Sequence, residues 1–160
     1  GVRADLAEAQ VLSTRLLLFE ERPPEAWPRL AMAAVTTHDL PTFAGIASGV
    51  DLADQRAAGT KIAPDGDDSF RHRLGLDLGQ PSEQAMVDRH RELGASPCCI
   101  ATATLDDLAG AEHRPNIPGT IDEHPNWRIP LPVVLDDLPG DPLAEATVAA
   151  LAEGRATIAP

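Results

Sequence analysis

In the segment Val35-Thr36-Thr37-His38-Asp39-Leu40-Pro41-Thr42, two hydroxyls, an imidazole and a carboxylate follow directly on the apolar run Ala31-Met32-Ala33-Ala34-Val35. Strands of a parallel sheet covered on both faces read as continuous apolar runs, and reactive groups gather where such strands end. A carboxylate in that place accepts hydrogen bonds and stabilises positive charge, and an imidazole donates or accepts a proton. His38 and Asp39 are therefore the first candidates for function; without further support such a pair is an ordinary hydrogen-bonded turn. A second apolar run, Cys98 to Leu105, also ends in acids, Asp106 and Asp107. These two read as solvated or helix-capping acids beside a rim rather than as catalytic groups. The adjacent cysteines Cys98 and Cys99 have no second pair to complete a metal site, and they read as buried apolar filler in a strand.

The elements that would position these groups alternate. Arg3 to Gln10 has helical composition, and Val11 to Glu20 contains Leu16-Leu17-Leu18-Phe19, read as a buried strand with helix as the rival. The Pro-rich stretch Arg22 to Pro28 must be a connecting loop, and Trp27 should pack beneath it. Met32 to Thr37 is the second strand. Pro41 to Gly49 begins a loop or helix, Asp51 to Ala58 follows, and Gly59 to Asp68 reads as a mobile loop. A helix is expected from Ser82, as N-cap, to about Leu93, stopped by Gly94. Cys98 to Leu105 is the third strand, and Asp141 to Leu151 a last helix. Between them, Asn116 to Pro132 holds five prolines or glycines and reads as loop. Strand and helix in alternation give an α/β fold, and three strands cannot close a barrel, so the chain reads as a portion of something larger. Its start at Gly1, without Met, leaves an expression product, a processed product or a fragment of a longer gene open.

The chain has 160 residues, of which 43% are hydrophobic and 24% charged, as expected of one ordinary globular domain. Lys and Arg total 13 against 25 Asp and Glu, a formal net charge of -12 that repels phosphate backbones and anionic headgroups. Nucleic acid and membrane are thus poor partners, and a neutral ligand stays open. Neither a membrane span nor a leader peptide is evident, which makes a cytoplasmic protein the expectation. Aromatics are 3% with no Tyr, against a carbohydrate-binding module built on aromatic platforms.

The segment Ala33 to Thr42 resembles the end of the seventh barrel strand in the amylomaltases, the 4-α-glucanotransferases of glycoside hydrolase family 77. Arg114-Pro115-Asn116-Ile117-Pro118-Gly119-Thr120, followed by Asn126-Trp127-Arg128, resembles the same family's Asn-x-Pro-Gly-Thr and Asn-Trp-Arg signature, in the same order. Leu16 to Glu20 resembles the sixth strand, and Leu105 to Gly110 the turn after the eighth. The resemblance covers about residues 11 to 135 and is loose over Asp51 to Leu93.

The resemblance implies that residues 1–160 are a partial (β/α)8 TIM-barrel catalytic domain, about strands six to eight, lacking the N-terminal strands. It implies transfer of α-1,4-glucan segments between maltodextrins by a retaining double displacement, with no cofactor and no metal. Of the family's three carboxyl groups only the one that stabilises the transition state has a counterpart here, Asp39; the nucleophile and the acid/base would lie upstream. His38, Asn116, Pro118 and Gly119 would bind substrate. Asn126 and Arg128 read as structural, and Trp127 as core rather than as a sugar platform. The alternatives are a non-catalytic α/β glucan-binding or interaction domain, or part of an α-amylase-clan hydrolase.

Overall fold

The computed structural model describes residues 1–77, 79 and 81–158, apart from the Arg3 side chain. In chain order its helices and strands are α1 (Val2–Glu8), β1 (Ser13–Leu16), β2 (Ala31–Ala34), α2 (Phe43–Ser48), α3 (Val50–Ala57), α4 (Asp68–Arg73), α5 (Ser82–Gly94), β3 (Ile100–Ala101), α6 (Leu105–Leu108) and α7 (Pro142–Ala156). Short 3-10 turns lie at Pro24–Ala26 and Leu138–Gly140.

The small-residue strand β2 sits in the middle of a three-stranded parallel sheet, order β1-β2-β3. Its side chains explain the place: Ala31, Ala33, Ala34 and the following Val35 are all buried, as a strand covered on both faces requires. Pairing runs on past the strand ends, with Leu17 N–H donating to Ala34 O at 2.9 Å and Thr102 N–H to Ala33 O at 2.9 Å. The core behind the sheet joins Leu17, Leu18, Trp27, Val35, Phe43, Ile46, Leu74, Met86 and Leu93. Trp27 is buried under its Pro-rich loop, as expected, with its indole N–H donating to Arg22 O at 2.8 Å.

Three expectations are corrected. The third strand is only Ile100–Ala101, because the Thr104 hydroxyl caps α6 by accepting from Asp107 N–H at 3.2 Å, so Leu105 opens a helix instead of closing a strand. The cysteines precede that strand, and only Cys98 is buried; Cys99 is exposed. α5 ends at Gly94, as expected, and this glycine lies against Gly154 of α7, where a Cβ on either would run into the other helix's backbone. Ser82 is the first helical residue rather than its cap, and Pro81 occupies the cap position.

The last helix is capped as its sequence suggests, Asp141 accepting from Leu143 N–H at 2.9 Å and Ala144 N–H at 3.0 Å ahead of Pro142. The expected mobile loop is less open than its composition implies. It ends at the buried Asp67, and Asp68 already starts α4. No helix among the described residues is long and apolar enough to cross a membrane.

Candidate active site

Asp39 stands in the turn that follows β2. The turn is tied by the buried Thr36 hydroxyl donating to Pro41 O at 2.9 Å and by Leu40 N–H donating to Thr37 O at 3.0 Å. Thr42 then caps α2, accepting from Gly45 N–H at 3.0 Å. His38 and Asp39 are thus pushed outward between two anchored hydroxyls, with side chains 57% and 50% exposed.

The second motif arrives on the loop from Ala111 to Asp137, which contains no helix or strand. Asn116 Nδ2 donates to Asp39 Oδ1 at 2.7 Å, across 77 residues of sequence. His38 Nε2 lies 3.4 Å from the other oxygen, Oδ2. One carboxylate oxygen is therefore hydrogen-bonded and the other lies near the imidazole, while half the side chain stays exposed.

The loop itself is held residue by residue. Ile117 N–H donates to Asn126 Oδ1 at 2.9 Å, and the Asn126 amide donates to Thr120 O and Oγ1 at 3.1 and 2.8 Å, so Asn126 is the structural clasp expected of it. His124, buried, places Nε2 at 3.1 Å from Arg114 O, which makes that nitrogen the protonated one. Arg128 is exposed, and only its backbone is seen to bridge, to Pro125 O at 3.0 Å. Pro118 and Gly119 form the exposed tip of a turn closed by Thr120 N–H to Ile117 O at 3.2 Å, and the φ of +86° at Gly119 is one that glycine alone adopts freely. They lie on the same loop as Asn116, and no hydrogen bond links them to Asp39 among the described residues.

Beneath the site is an ion pair that local sequence patterns did not reveal. Arg114 grips Asp51 of α3 with both ends of its guanidinium at 2.6 Å, both residues being buried. Asp67 is also buried near this pair, and its carboxyl is pushed up to about 6, first by burial and then by the charge of Asp51. Its Oδ2 has no hydrogen-bond partner.

Asp107 is likewise raised to about 6 by full burial, against the Phe43 N–H that donates to it at 2.7 Å. It is buried rather than solvated at a rim, and of the two roles expected it takes the capping one, accepting from the first N–H of α2 and so tying α6 to that helix. Among the described residues no group of three or more His, Cys, Asp or Glu side chains could hold a metal ion.

A family profile described as 4-alpha-glucanotransferase, glycoside hydrolase 77, matches residues 1–136. The chain belongs to this family. It is 34% identical to the 4-alpha-glucanotransferases of Mycobacterium tuberculosis and Mycobacterium bovis, in alignments covering 93% of this chain and 25% of each relative. The chain thus spans about a quarter of the length of the curated relatives it matches.

Its fold superposes on the crystal structure of amylomaltase from Corynebacterium glutamicum with a TM-score of 0.78, at 24% identity and over 95% of this chain and 27% of that one. Amylomaltase from Streptococcus agalactiae in complex with acarbose gives 0.56 at 16% identity, over 94% and 30%. At these identities the superpositions speak for the fold.

In this member of the family Trp127 overturns its expected place in the core. Its side chain is exposed, its ring centroid lies 5.1 Å from that of His38, and its φ of +60° is a left-handed conformation costly for a bulky residue. The backbone is held there by Trp127 N–H donating to Pro115 O at 2.8 Å, next to the Asn126 clasp. The residue's sequence neighbours Asn126 and Arg128 carry no sign of this inversion; it arises from how the loop closes.

Proposed function

We propose that this chain supplies about strands six to eight of a (β/α)8 barrel in a full-length 4-alpha-glucanotransferase, residues 1–160 being part of its catalytic domain. In this reading the enzyme moves α-1,4-glucan segments between maltodextrins by retaining double displacement, and Asp39 stabilises the transition state. The observation that carries the reading is the 2.7 Å hydrogen bond from Asn116 to Asp39, because it brings the two signature segments to one point at the end of the central strand.

The mechanism follows from charge. In a retaining transfer a nucleophilic carboxylate and an acid/base carboxyl stand about 5–5.5 Å apart across the glycosidic bond. Both are assigned to barrel strands upstream of this chain. As the donor ring flattens, positive charge grows at its anomeric carbon, and Asp39 contributes a negative charge with hydrogen-bond acceptors for the neighbouring sugar hydroxyls.

Asn116 fixes the orientation of that carboxylate before the charge develops, so no reorganisation is needed at the moment of reaction. His38 adds a second polar contact to the same sugar. The turn at Pro118 and Gly119 leaves its backbone open to the saccharide, and the exposed Trp127 ring beside His38 gives the site an apolar wall.

The test is Asp39→Asn in the full-length enzyme, assayed by steady-state disproportionation of maltotriose. Asn is nearly isosteric and the position is half-exposed, so the fold should persist. The expected loss is about 10²-fold or more in kcat with KM within a few-fold, since the interaction strengthens in the transition state. Near-normal turnover would make Asp39 a turn residue and remove the proposal.

A further inference from the structure

Asp39 is held at two places by one loop. Asn116 takes its carboxylate, and two residues earlier Arg114 takes its main chain, Nη1 donating to Asp39 O at 3.2 Å. The rest of the Arg114 guanidinium is committed elsewhere: Nε and Nη2 each donate to one oxygen of Asp51 at 2.6 Å. Asp51 lies in the first turn of α3, is itself 1% exposed, and accepts a further bond from Gln55 Nε2 at 2.7 Å.

The Arg114 carbonyl in turn accepts from the buried His124. A planar fork with three occupied directions has a single orientation, which a flexible ammonium cannot reproduce. The chain of contacts therefore runs from helix α3 through a buried guanidinium to the backbone of the residue whose half-exposed carboxylate Asn116 holds.

We infer that Arg114, braced by Asp51, is a positioning residue for Asp39: it sets the height of the turn after β2 against the Asn116 loop and so aims the carboxylate. The inference rests on the role proposed above for Asp39. Arg114 is 6% exposed and its guanidinium is engaged by Asp51 and the Asp39 carbonyl, so its effect passes through Asp39 and Asn116. Misplacing a charged group by about an ångström costs up to ~10²-fold in rate even when the fold is intact. An anchor that serves the fold alone would act on stability regardless of what stands at residue 39.

The experiment is a double-mutant cycle in the full-length enzyme, with maltotriose disproportionation and thermal unfolding both measured. Arg114→Lys keeps the positive charge beside Asp51 but loses the fork. The expected result is a fall in kcat of about tenfold or more, with KM within about threefold, in the enzyme carrying Asp39. In the Asp39→Asn background the same change should alter kcat by less than about twofold, since there is no carboxylate left to aim.

An equal loss in both backgrounds, or no loss in either, overturns the inference. Should Arg114→Lys fail to fold, Asp51→Asn, which keeps one acceptor for the guanidinium, goes through the same cycle with the same two outcomes. The arm with Asp39→Asn alone contains no change at Arg114, so full turnover there removes the proposed function itself and is distinguishable from a failed cycle.

Discussion

Asp39 and Asp67 are both carboxylates within reach of the Arg114 network, yet their surroundings give them different behaviour. Asp39 has its main chain held by Arg114 and its side chain half in water, with Asn116 as its closest partner. Asn116→Ala in the full-length enzyme should therefore lower kcat by about tenfold or more by letting the carboxylate turn, while thermal unfolding stays within a degree or two of the parent. Unchanged turnover would show that the hydrogen bond does not orient Asp39.

Asp67 is 5% exposed with one oxygen unpartnered, and its carboxyl is pushed up to about 6 from an ordinary 3.8, chiefly by burial. The folded chain thus keeps this proton at pH values where the unfolded chain has lost it. The stability so gained is fully present below about 3.8 and is lost as pH rises through about 6. Its upper bound is ~3 kcal/mol. In the full-length enzyme Asp67→Asn, a permanent mimic of the protonated acid, should raise the melting temperature at pH 7.5 and leave it nearly unchanged at pH 4; equal shifts at both would show that Asp67 ionises freely.

At the scale of elements, α5 and α7 make the most extensive helix contact among the described residues, and they cross where Gly94 meets Gly154. Helix propensity alone favours Ala over Gly by about 1 kcal/mol at such positions. Here the space decides instead, because the Cβ would meet backbone that cannot swing aside: Leu151 O from Gly94, and Arg91 O from Gly154. Gly154→Ala in the full-length enzyme should accordingly destabilise by about 2 kcal/mol or more in urea unfolding. A stabilised variant would mean that the helices shift apart at little cost.

The same pair shows the reach of sequence reading. A Gly after a helical run is a good stop signal, and Gly94 does fall at the end of α5. That it ends there as a crossing point rather than as a left-handed cap depends on α7, some sixty residues on. Likewise Cys98 to Thr104 has the composition of a strand, but only Ile100–Ala101 pairs in register with β2, with one further bond from Thr102, before Thr104 turns the chain into α6.

For the molecule as a whole, the order β1-β2-β3 leaves the outer sides of β1 and β3 without strand partners among the described residues. Val11, Leu12 and Phe19 near β1, and Val134 and Leu135 on the long loop, are exposed apolar side chains. Free edges and apolar surface of this kind invite self-association. The 160-residue chain on its own is expected to associate rather than melt cooperatively as a monomer, and light scattering during a thermal ramp checks it. It is also expected to show no disproportionation of maltotriose, since the two further carboxyl groups of the proposed mechanism are assigned outside it. Longer maltodextrins from a preparation free of host enzyme would overturn that assignment.

The sequence by itself determined the parallel α/β architecture, through apolar runs that end in polar groups, and the family, through two short signatures in order. It also placed Asp39 after the second strand, because the apolar run there breaks abruptly into polar residues. Only the tertiary structure decided which polar groups meet. The Asn116 contact spans 77 residues and the Arg114–Asp51 pair spans 63, and no local periodicity encodes a meeting at such separations. Burial decided the rest: it raised the carboxyls of Asp67 and Asp107 out of water, and loop closure turned Trp127 out beside His38. Local patterns specify where the chain turns, whereas the partners of a buried charge are specified by packing.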